Sequence, residues 1–381
     1  MTDKEARPKV LIFRSDYLPV SETFVSDHLR TLKRYEPLVV CQRDMPVNHR
    51  TSHPVLQVGQ GRIGRRLFEN FGWAPALSAL IKREKPELVH AHFLTDAAKL
   101  LPFMAGNDLP FIVTAHGFDA TTYDEHLAKF PDGERLLRRR QKLIERVDKI
   151  LCVSQFIKDE MVARGYPEKK LVVSHLGIDL SAFPEVKQAT SARKGVLAVG
   201  RLVEKKGTHL LIAAWAKLPE KLREAHPLLL IGDGPLRASL EQQAKELGVT
   251  PTFLGSQARS EVMAQLSQAA IFCLPSIRAL TGDAEGMPIA IMEALAAATP
   301  VCIFDDQPMA EMLAAAEAGS LPKAGDVSEL AKELEFLLGS SASREEYSKA
   351  GRTFVNLNFN LKTNVAELER VYDQVRALHA E

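Results

Sequence analysis

A chain of 381 residues, 46% hydrophobic and 25% charged, has ordinary globular composition and length enough for two cores, and it carries no internal repeat or low-complexity segment. Net charge is +1 but unevenly spread: residues 1–187 hold 29 Lys and Arg against 24 Asp and Glu (+5), and the remainder holds 20 against 24 (−4). The first part is therefore the one suited to an anionic partner, and no nucleic acid is expected.

Residues 1–9 are polar and run directly into the strand-like 10–13, so no secretory leader is visible. The longest apolar-rich stretch, 289–304, carries Glu293 and Pro300 and is too short to span a bilayer. A cytoplasmic protein is expected, with contact at the inner face of the cell membrane left open. Cys41, Cys152, Cys273 and Cys302 form no Cys-x-x-Cys pair and read as buried reduced thiols.

Along the chain, short apolar runs at 10–13, 38–41, 88–91, 111–114, 150–153 and 171–174 alternate with helix-length segments, the pattern of a parallel α/β domain. After the first run, Ser21 in Ser21-Glu22-Thr23-Phe24 can cap a helix through Leu29, and this first βα loop can also offer helix amides to a phosphate or acceptor. Two basic stretches follow. In one, Arg62, Arg65 and Arg66 accompany Ile63, Leu67, Phe68, Phe71 and Trp73 at near-helical spacing, which fits a lipid-facing surface and an ordinary helix equally. The other, 135–146 with Arg138-Arg139-Arg140, reads as a solvated helix face. His90 and His92 lack a third metal ligand at useful spacing, so one is expected in the core and the other on the cleft wall. His116, in Thr114-Ala115-His116-Gly117-Phe118-Asp119, ends a strand at the cleft edge; it can donate to a sugar hydroxyl or be a satisfied loop histidine.

The polar stretch 186–194 reads as a linker, dividing the chain into domains at 1–187 and 188–355. A second series of strands, 195–199, 228–231, 252–254, 271–274 and 301–304, then alternates with helices. Right-handed crossovers give two doubly wound sheets facing a cleft, with ligands at the strand carboxyl ends. Further helix signals cover 327–338, 344–351 and 361–378.

The chemistry-bearing motifs lie mostly in this second series. Gly200 in Val199-Gly200-Arg201-Leu202-Val203-Glu204-Lys205-Lys206-Gly207 lets the backbone approach a phosphate, and Arg201 and Lys206 can hold a diphosphate from two sides; alone, the stretch also reads as a solvated basic loop. Gly232 and Gly234 in Ile231-Gly232-Asp233-Gly234-Pro235 free a second turn. Arg237 stands where the dinucleotide fingerprint needs a third glycine, which counts against a dehydrogenase. Glu285 and Glu293 bracket a helix start at Gly286-Met287-Pro288. With Pro288 as the first helical residue they stand roughly 12 Å apart at ~1.5 Å per residue. Two carboxylates sharing one glycosidic bond stand roughly 5–9.5 Å apart, so this pair suits the two ends of a long ligand such as a nucleotide-sugar.

Together these residues resemble the retaining glycosyltransferases of the GT-B fold, family four, over nearly the whole chain. The resemblance rests on the glutamate, seven residues, glutamate pattern of Glu285 and Glu293, with Gly200-Arg201-Leu202, Lys206-Gly207, Gly232-Asp233-Gly234-Pro235 and Phe253-Leu254-Gly255 in the family's order. Ser21-Glu22-Thr23-Phe24 and His116-Gly117-Phe118-Asp119 are similar to the branch that builds bacterial exopolysaccharides such as colanic acid. The resemblance implies a last helix, within 356–381, that crosses back onto the first domain. It implies that Arg201 and Lys206 bind the diphosphate, that Glu293 binds the ribose hydroxyls and that Glu285 faces the donor sugar. Gly200, Gly232, Gly234, Gly286, Met287 and Pro288 would lie along the donor, and His116 would contact a sugar hydroxyl near the reacting carbon. Ser21 would take over part of the role of the paired glycines that this first loop lacks. The chain departs from the family in having Ala297-Ala298-Thr299 where a small residue and glycine usually precede Pro-Val, and Asp305-Asp306-Gln307-Pro308-Met309 for a glycine-rich turn.

The activity so implied is retaining transfer of a hexose from a UDP- or GDP-linked sugar to a glycan or polyprenyl-linked acceptor, without cofactor or metal. A catalytically silent glycan-binding subunit, a nucleotide-sugar epimerase and a phosphorylase of similar architecture remain alternatives.

Overall fold

The computed structural model describes residues 7–17, 23–45, 53–183 and 190–380. The chain forms two compact units, Met1–Gly177 with Leu361–Glu381, and Ile178–Asn360. The division falls at 177/178, before the polar stretch expected to be the linker.

The first unit is a seven-stranded parallel sheet of β1 (Lys9–Tyr17), β2 (Glu36–Asp44), β3 (Val55–Gln57), β4 (Leu88–His92), β5 (Phe111–Ala115), β6 (Lys149–Cys152) and β7 (Leu171–Val173) in the order β3-β2-β1-β4-β5-β6-β7. Its strands are apolar along their length because helices cover both faces of such a sheet; Val10, Leu11, Ile12 and Phe13 are all buried. The last helix, Leu361–Ala380, packs on this unit. Glu369 Oε1 accepts backbone N–H groups of Lys33, Arg34 and Tyr35 (2.8, 2.7 and 3.3 Å), and the rings of Tyr35 and Tyr372 meet edge-on at 5.1 Å.

The second unit repeats the plan with β8 (Val196–Val199), β9 (Leu228–Ile231), β10 (Thr252–Gly255), β11 (Ile271–Cys273), β12 (Val301–Cys302) and β13 (Gly319–Ser320) in the order β10-β9-β8-β11-β12-β13. Leu211, Ile212 and Trp215 of helix Thr208–Ala216, and Leu330, Leu334 and Leu337 of helix Val327–Gly339, fill its core. Ile178 and Asn360, where the chain enters and leaves this unit, form a parallel β-bridge. The sequence pattern misses β3 and β13, edge strands of three and two residues, too short for any periodicity. All four cysteines are buried and unpaired by disulfide, and burial pushes Cys41 and Cys152 up to about 12.

In both sheets the strand order reverses direction at one point, between β1 and β4 and between β8 and β11. Loops leaving neighbouring strands on opposite faces open a crevice there, where doubly wound folds bind ligands.

Candidate functional site

In the second unit, the loops after β8 (200–207) and β11 (274–288) flank the reversal point. Glycines let them and the β9 loop interlock. A Cβ on Gly232, whose φ is +129°, would lie 1.9 Å from the Gly200 carbonyl oxygen, and one on Gly207 (φ +63°) would lie 1.8 Å from that of Pro275. Gly232 and Gly234 thus serve first to bring one loop against another: a Cβ on Gly234 would stand 2.5 Å from the Leu202 oxygen. Gly200 makes room for Lys206, whose Cε would be 3.1 Å from an added Cβ.

Three successive side chains then lace the two loops. Glu204 Oε1 accepts the Leu280 N–H (3.2 Å), Lys205 Nζ donates to Asp283 Oδ1 (2.9 Å), and Lys206 Nζ stands 2.8 Å from Glu285 Oε1. The last is an ion pair without hydrogen-bond alignment, since Glu285 Oε1 is buried with no hydrogen-bond partner. Burial raises the Glu285 pKa, but Lys206 and then Lys205 more than offset it and hold the carboxyl below its ordinary value. For Asp283 burial dominates and the pKa rises despite Lys205. A cavity of about 10 Å³, room for one water, lies among Gly200, Leu202, Lys206, Thr208 and Leu274.

Arg201 is exposed and has no side-chain partner among the described residues. It is therefore the unengaged cation of the expected pair, whereas Lys206 is already committed to Glu285. Pro288 precedes helix Ile289–Ala296 as its N-cap residue, one position earlier than expected, and Gly286, Met287 and Pro288 are buried. Glu293, on the first turns of this helix, is buried with Arg259 Nη2 at 3.4 Å. The two glutamates face different cations, so they do not share a proton. Arg259 was not anticipated, because nothing in its local sequence marks it.

In the first unit, β4 ends at His92 and β5 just before His116. His90 and His92 do not divide between core and surface as expected. Two residues apart on one strand, they share a face, their rings are 4.5 Å apart, and both are buried. His90 bridges Tyr372 Oη (2.6 Å) and Thr114 Oγ1 (2.7 Å), while His92 Nδ1 lies 3.1 Å from His116 Nε2. Asp119 clamps the backbone: Oδ1 accepts from the N–H groups of His116 and Gly117 (3.1 Å each), and Oδ2 from that of Leu94 (2.7 Å). Phe93 takes φ +70°, rare for a residue with a side chain, and its ring rests between His116 (centroids 4.4 Å) and the Arg14 guanidinium (4.4 Å).

Burial depresses the histidines here: His28 to about 4 against an opposing pull from Asp27, His90 to about 3, and His92 and His116 well below the ordinary value, where neighbouring histidines and Arg14 push the same way. They are neutral imidazoles at pH 7. Among the described residues no three His, Cys, Asp or Glu side chains are placed to hold a metal ion. Ser21 and Glu22 lie outside the described residues. Beside this cluster, Asp96 Oδ2 accepts from Arg14 Nη1 (2.5 Å) and the Ser15 N–H (2.6 Å), and Lys99 Nζ reaches Ser15 Oγ (3.1 Å) and Asp132 (2.7 Å). No local pattern marks this network, because its members are scattered over three elements.

The two basic stretches behave differently. In helix Pro131–Arg146, Arg139 donates to the Ala98 carbonyl (2.7 Å) and Arg140 grips Asp124 with two bonds (2.8 and 2.6 Å), so the expected solvated face is partly a structural staple. Helix Gly61–Phe71 buries Phe68 against Phe13 but leaves Ile63, Phe71 and the following Trp73 76%, 75% and 58% exposed beside exposed Arg62, Arg65 and Arg66. No helix among the described residues is long and apolar enough to cross a membrane.

Comparison with known proteins places these features in a family. A model described as Glycosyltransferase Family 4 matches residues 22–182, and one described as Glycosyl transferases group 1 matches 182–354. WcaL of Escherichia coli (strain K12), named for colanic acid biosynthesis, is 34% identical over 225 residues, covering 58% of this chain and 53% of WcaL. The amylovoran biosynthesis glycosyltransferase AmsK of Erwinia amylovora is 27% identical over 270 residues, covering 69% of this chain and 64% of AmsK. The chain thus spans between half and two thirds of the length of these relatives. The Anabaena HepE structure in complex with UDP and glucose shares the fold, with a TM-score of 0.76 at 18% identity over 97% of this chain and all of that one. With both halves matched in this order, the chain belongs to the glycosyltransferases that join a Family 4 domain to a group 1 domain.

Proposed function

We propose that the protein is a retaining glycosyltransferase that moves a hexose from a nucleotide diphosphate sugar to a glycan or polyprenyl-linked acceptor in bacterial surface polysaccharide synthesis. The observation that carries this reading is the pair of laced loops at the β8/β11 reversal point. Interlocked glycines and Lys206 paired to Glu285 sit on these loops, with Arg201 exposed on the β8 loop and without a side-chain partner among the described residues. Preorganised cations there stabilise the charge that grows on a leaving diphosphate. In the step, the bond from the anomeric carbon to the diphosphate oxygen breaks and the acceptor hydroxyl oxygen bonds to that carbon on the same face. The hydroxyl proton passes to the departing diphosphate. Glu293 holds the ribose end and Glu285 the hexose end; His116 serves a sugar hydroxyl. No cofactor or metal is needed, since Arg201 and Lys206 supply the positive charge.

The names of WcaL and AmsK support an exopolysaccharide product, and the UDP in the HepE complex makes UDP-linked sugars the first donors to try, with GDP-linked sugars second. Lys206→Ala is expected to lower transfer from a labelled nucleotide-sugar by about 10²–10³-fold while circular dichroism stays native. Near-normal transfer by this variant sinks the assignment.

Exposed Ile63, Phe71 and Trp73 beside Arg62, Arg65 and Arg66 support docking on the anionic inner face of the cell membrane. Sedimentation with phosphatidylglycerol vesicles, and not with phosphatidylcholine vesicles, is expected, and Phe71→Ser with Trp73→Ser should abolish it. Equal sedimentation with both lipids, or an unaffected double variant, removes this part of the proposal.

A further inference from the structure

We infer that His92 is a positioning residue for His116, fixing its tautomer and ring plane so that Nδ1 is the atom it presents to a substrate hydroxyl. The inference rests on the reading of His116 as a substrate contact. Its geometric basis is the 3.1 Å approach of His92 Nδ1 to His116 Nε2, with the rings only 26° from parallel. Both imidazoles are neutral, so one nitrogen must donate and the other accept. The proton positions on the two rings are therefore coupled, and the tautomer of His116 depends on that of His92. Once Nε2 is engaged in this way, Nδ1 is the remaining polar atom of His116, and it is buried with no hydrogen-bond partner in the protein. An unsatisfied buried group of this kind destabilises the protein, and a ligand hydroxyl removes that cost.

His92 can act as a rigid reference because it cannot turn. It is 2% exposed and its ring lies against that of His90 (centroids 4.5 Å, planes tilted by 32°), whose two nitrogens are held by Tyr372 and Thr114. The left-handed Phe93 on one side and the Asp119 clamp on the other fix the backbones that carry the pair. The chain of contacts from Tyr372 through His90 and His92 to His116 has the form of the outer-shell partners that orient functional imidazoles elsewhere.

The test uses the full chain with nucleotide-sugar donor and three substitutions at His92. His92→Phe keeps the ring and removes the nitrogen; it should lower kcat 10–100-fold, as loss of an orienting partner does, with donor KM changed less than about threefold. His92→Asn places an amide where Nδ1 was and should restore most of kcat, whereas His92→Gln, one bond longer, should not. Nitrogen-15 NMR of His116 should report one tautomer in the wild type and His92→Asn, and a mixture in His92→Phe. Unchanged kcat or unchanged His116 shifts in folded His92→Phe overturn the inference, as does equal activity of the Asn and Gln variants. Wild-type transfer by His116→Ala would instead overturn the substrate-contact reading beneath it, and the tautomer measurement separates the two failures.

Discussion

The two units share a strand order around their reversal points yet finish those points with opposite chemistry. The β8/β11 end of the second unit carries ionised groups, Lys205 and Lys206 against Asp283 and Glu285, braced by glycines that let three loops touch. The β1/β4 end of the first unit carries neutral imidazoles braced by Asp119, Thr114 and Tyr372. Topology sets where a ligand can sit, and side chains decide which part of it can sit there. Charge suits a diphosphate, while buried neutral donors and acceptors suit hydroxyls.

If glycine interlock rather than side-chain packing builds the second unit's site, the sharpest way to break it is Gly232→Ala. The added methyl meets the Gly200 oxygen at 1.9 Å in a backbone conformation hostile to side chains, and a loss of at least about 3 kcal/mol is expected. Gly248→Ala is the control: its φ is +67° with nothing within 4 Å of the new atom, so only the left-handed cost of about 1–2 kcal/mol applies. Urea unfolding followed through Trp215 in a Trp73→Phe background reads the second unit alone, because the chain has two tryptophans, one in each unit. Equal losses in the two variants would show that the interlock contributes nothing beyond backbone strain.

The imidazole cluster predicts a difference in acid sensitivity. A histidine whose folded pKa lies below its unfolded one leaves stability intact above the ordinary value of 6.5 and erodes it as pH falls toward the folded value. For His28 and His90 that window runs from 6.5 down to about 4 and about 3, and each contributes about 1.4 kcal/mol per pH unit inside it. Glu285, depressed below 4.5, keeps its contribution until the pH falls beneath that value. The second unit does hold His209 and His226, half-buried and also lowered. Hydrogen exchange between pH 8 and 5 should therefore show the first unit opening before the second. Parallel loss of protection in both would contradict the depressed values in the histidine cluster.

How far this was legible in the sequence follows from the range of each interaction. Strands with continuous apolar runs were visible because burial on both faces needs them, and β9 (Leu228–Ile231) falls at the expected residues. The turn glycines were visible as turn signals, but their purpose was not. Gly232 looks like an opening for a nucleotide and is first a seat for the Gly200 carbonyl, a contact 32 residues away along the chain. Lys206 and Glu285 were both singled out, yet their pairing depends on the order of β8 and β11, which no local pattern encodes. The engagement of His116 by His92 and of Glu293 by Arg259 was invisible for the same reason.

Backbone strain gives the finest comparison, since each unit holds a left-handed residue with a side chain near its site. Phe93 (φ +70°) is held by contacts of its ring with His116 and Arg14, whereas Ala298 (φ +52°) offers only a methyl. Ala298 lies just beyond helix Ile289–Ala296. Its carbonyl is fixed by Arg193 Nη1 (2.7 Å) and Ser348 Oγ (2.8 Å), contacts a glycine would keep. Ala298→Gly relieves about 1–2 kcal/mol of left-handed strain and gives back about 0.4–1 kcal/mol through the more flexible unfolded chain. A net gain of about 0.5–1 kcal/mol remains, worth roughly 2 °C in Tm for a unit of this size. Phe93→Gly removes the same kind of strain but also the ring that packs His116, so calorimetry should show a loss there. A gain in both variants would mean that the Phe93 ring contributes less than its backbone costs, and that the histidine pair does not depend on it.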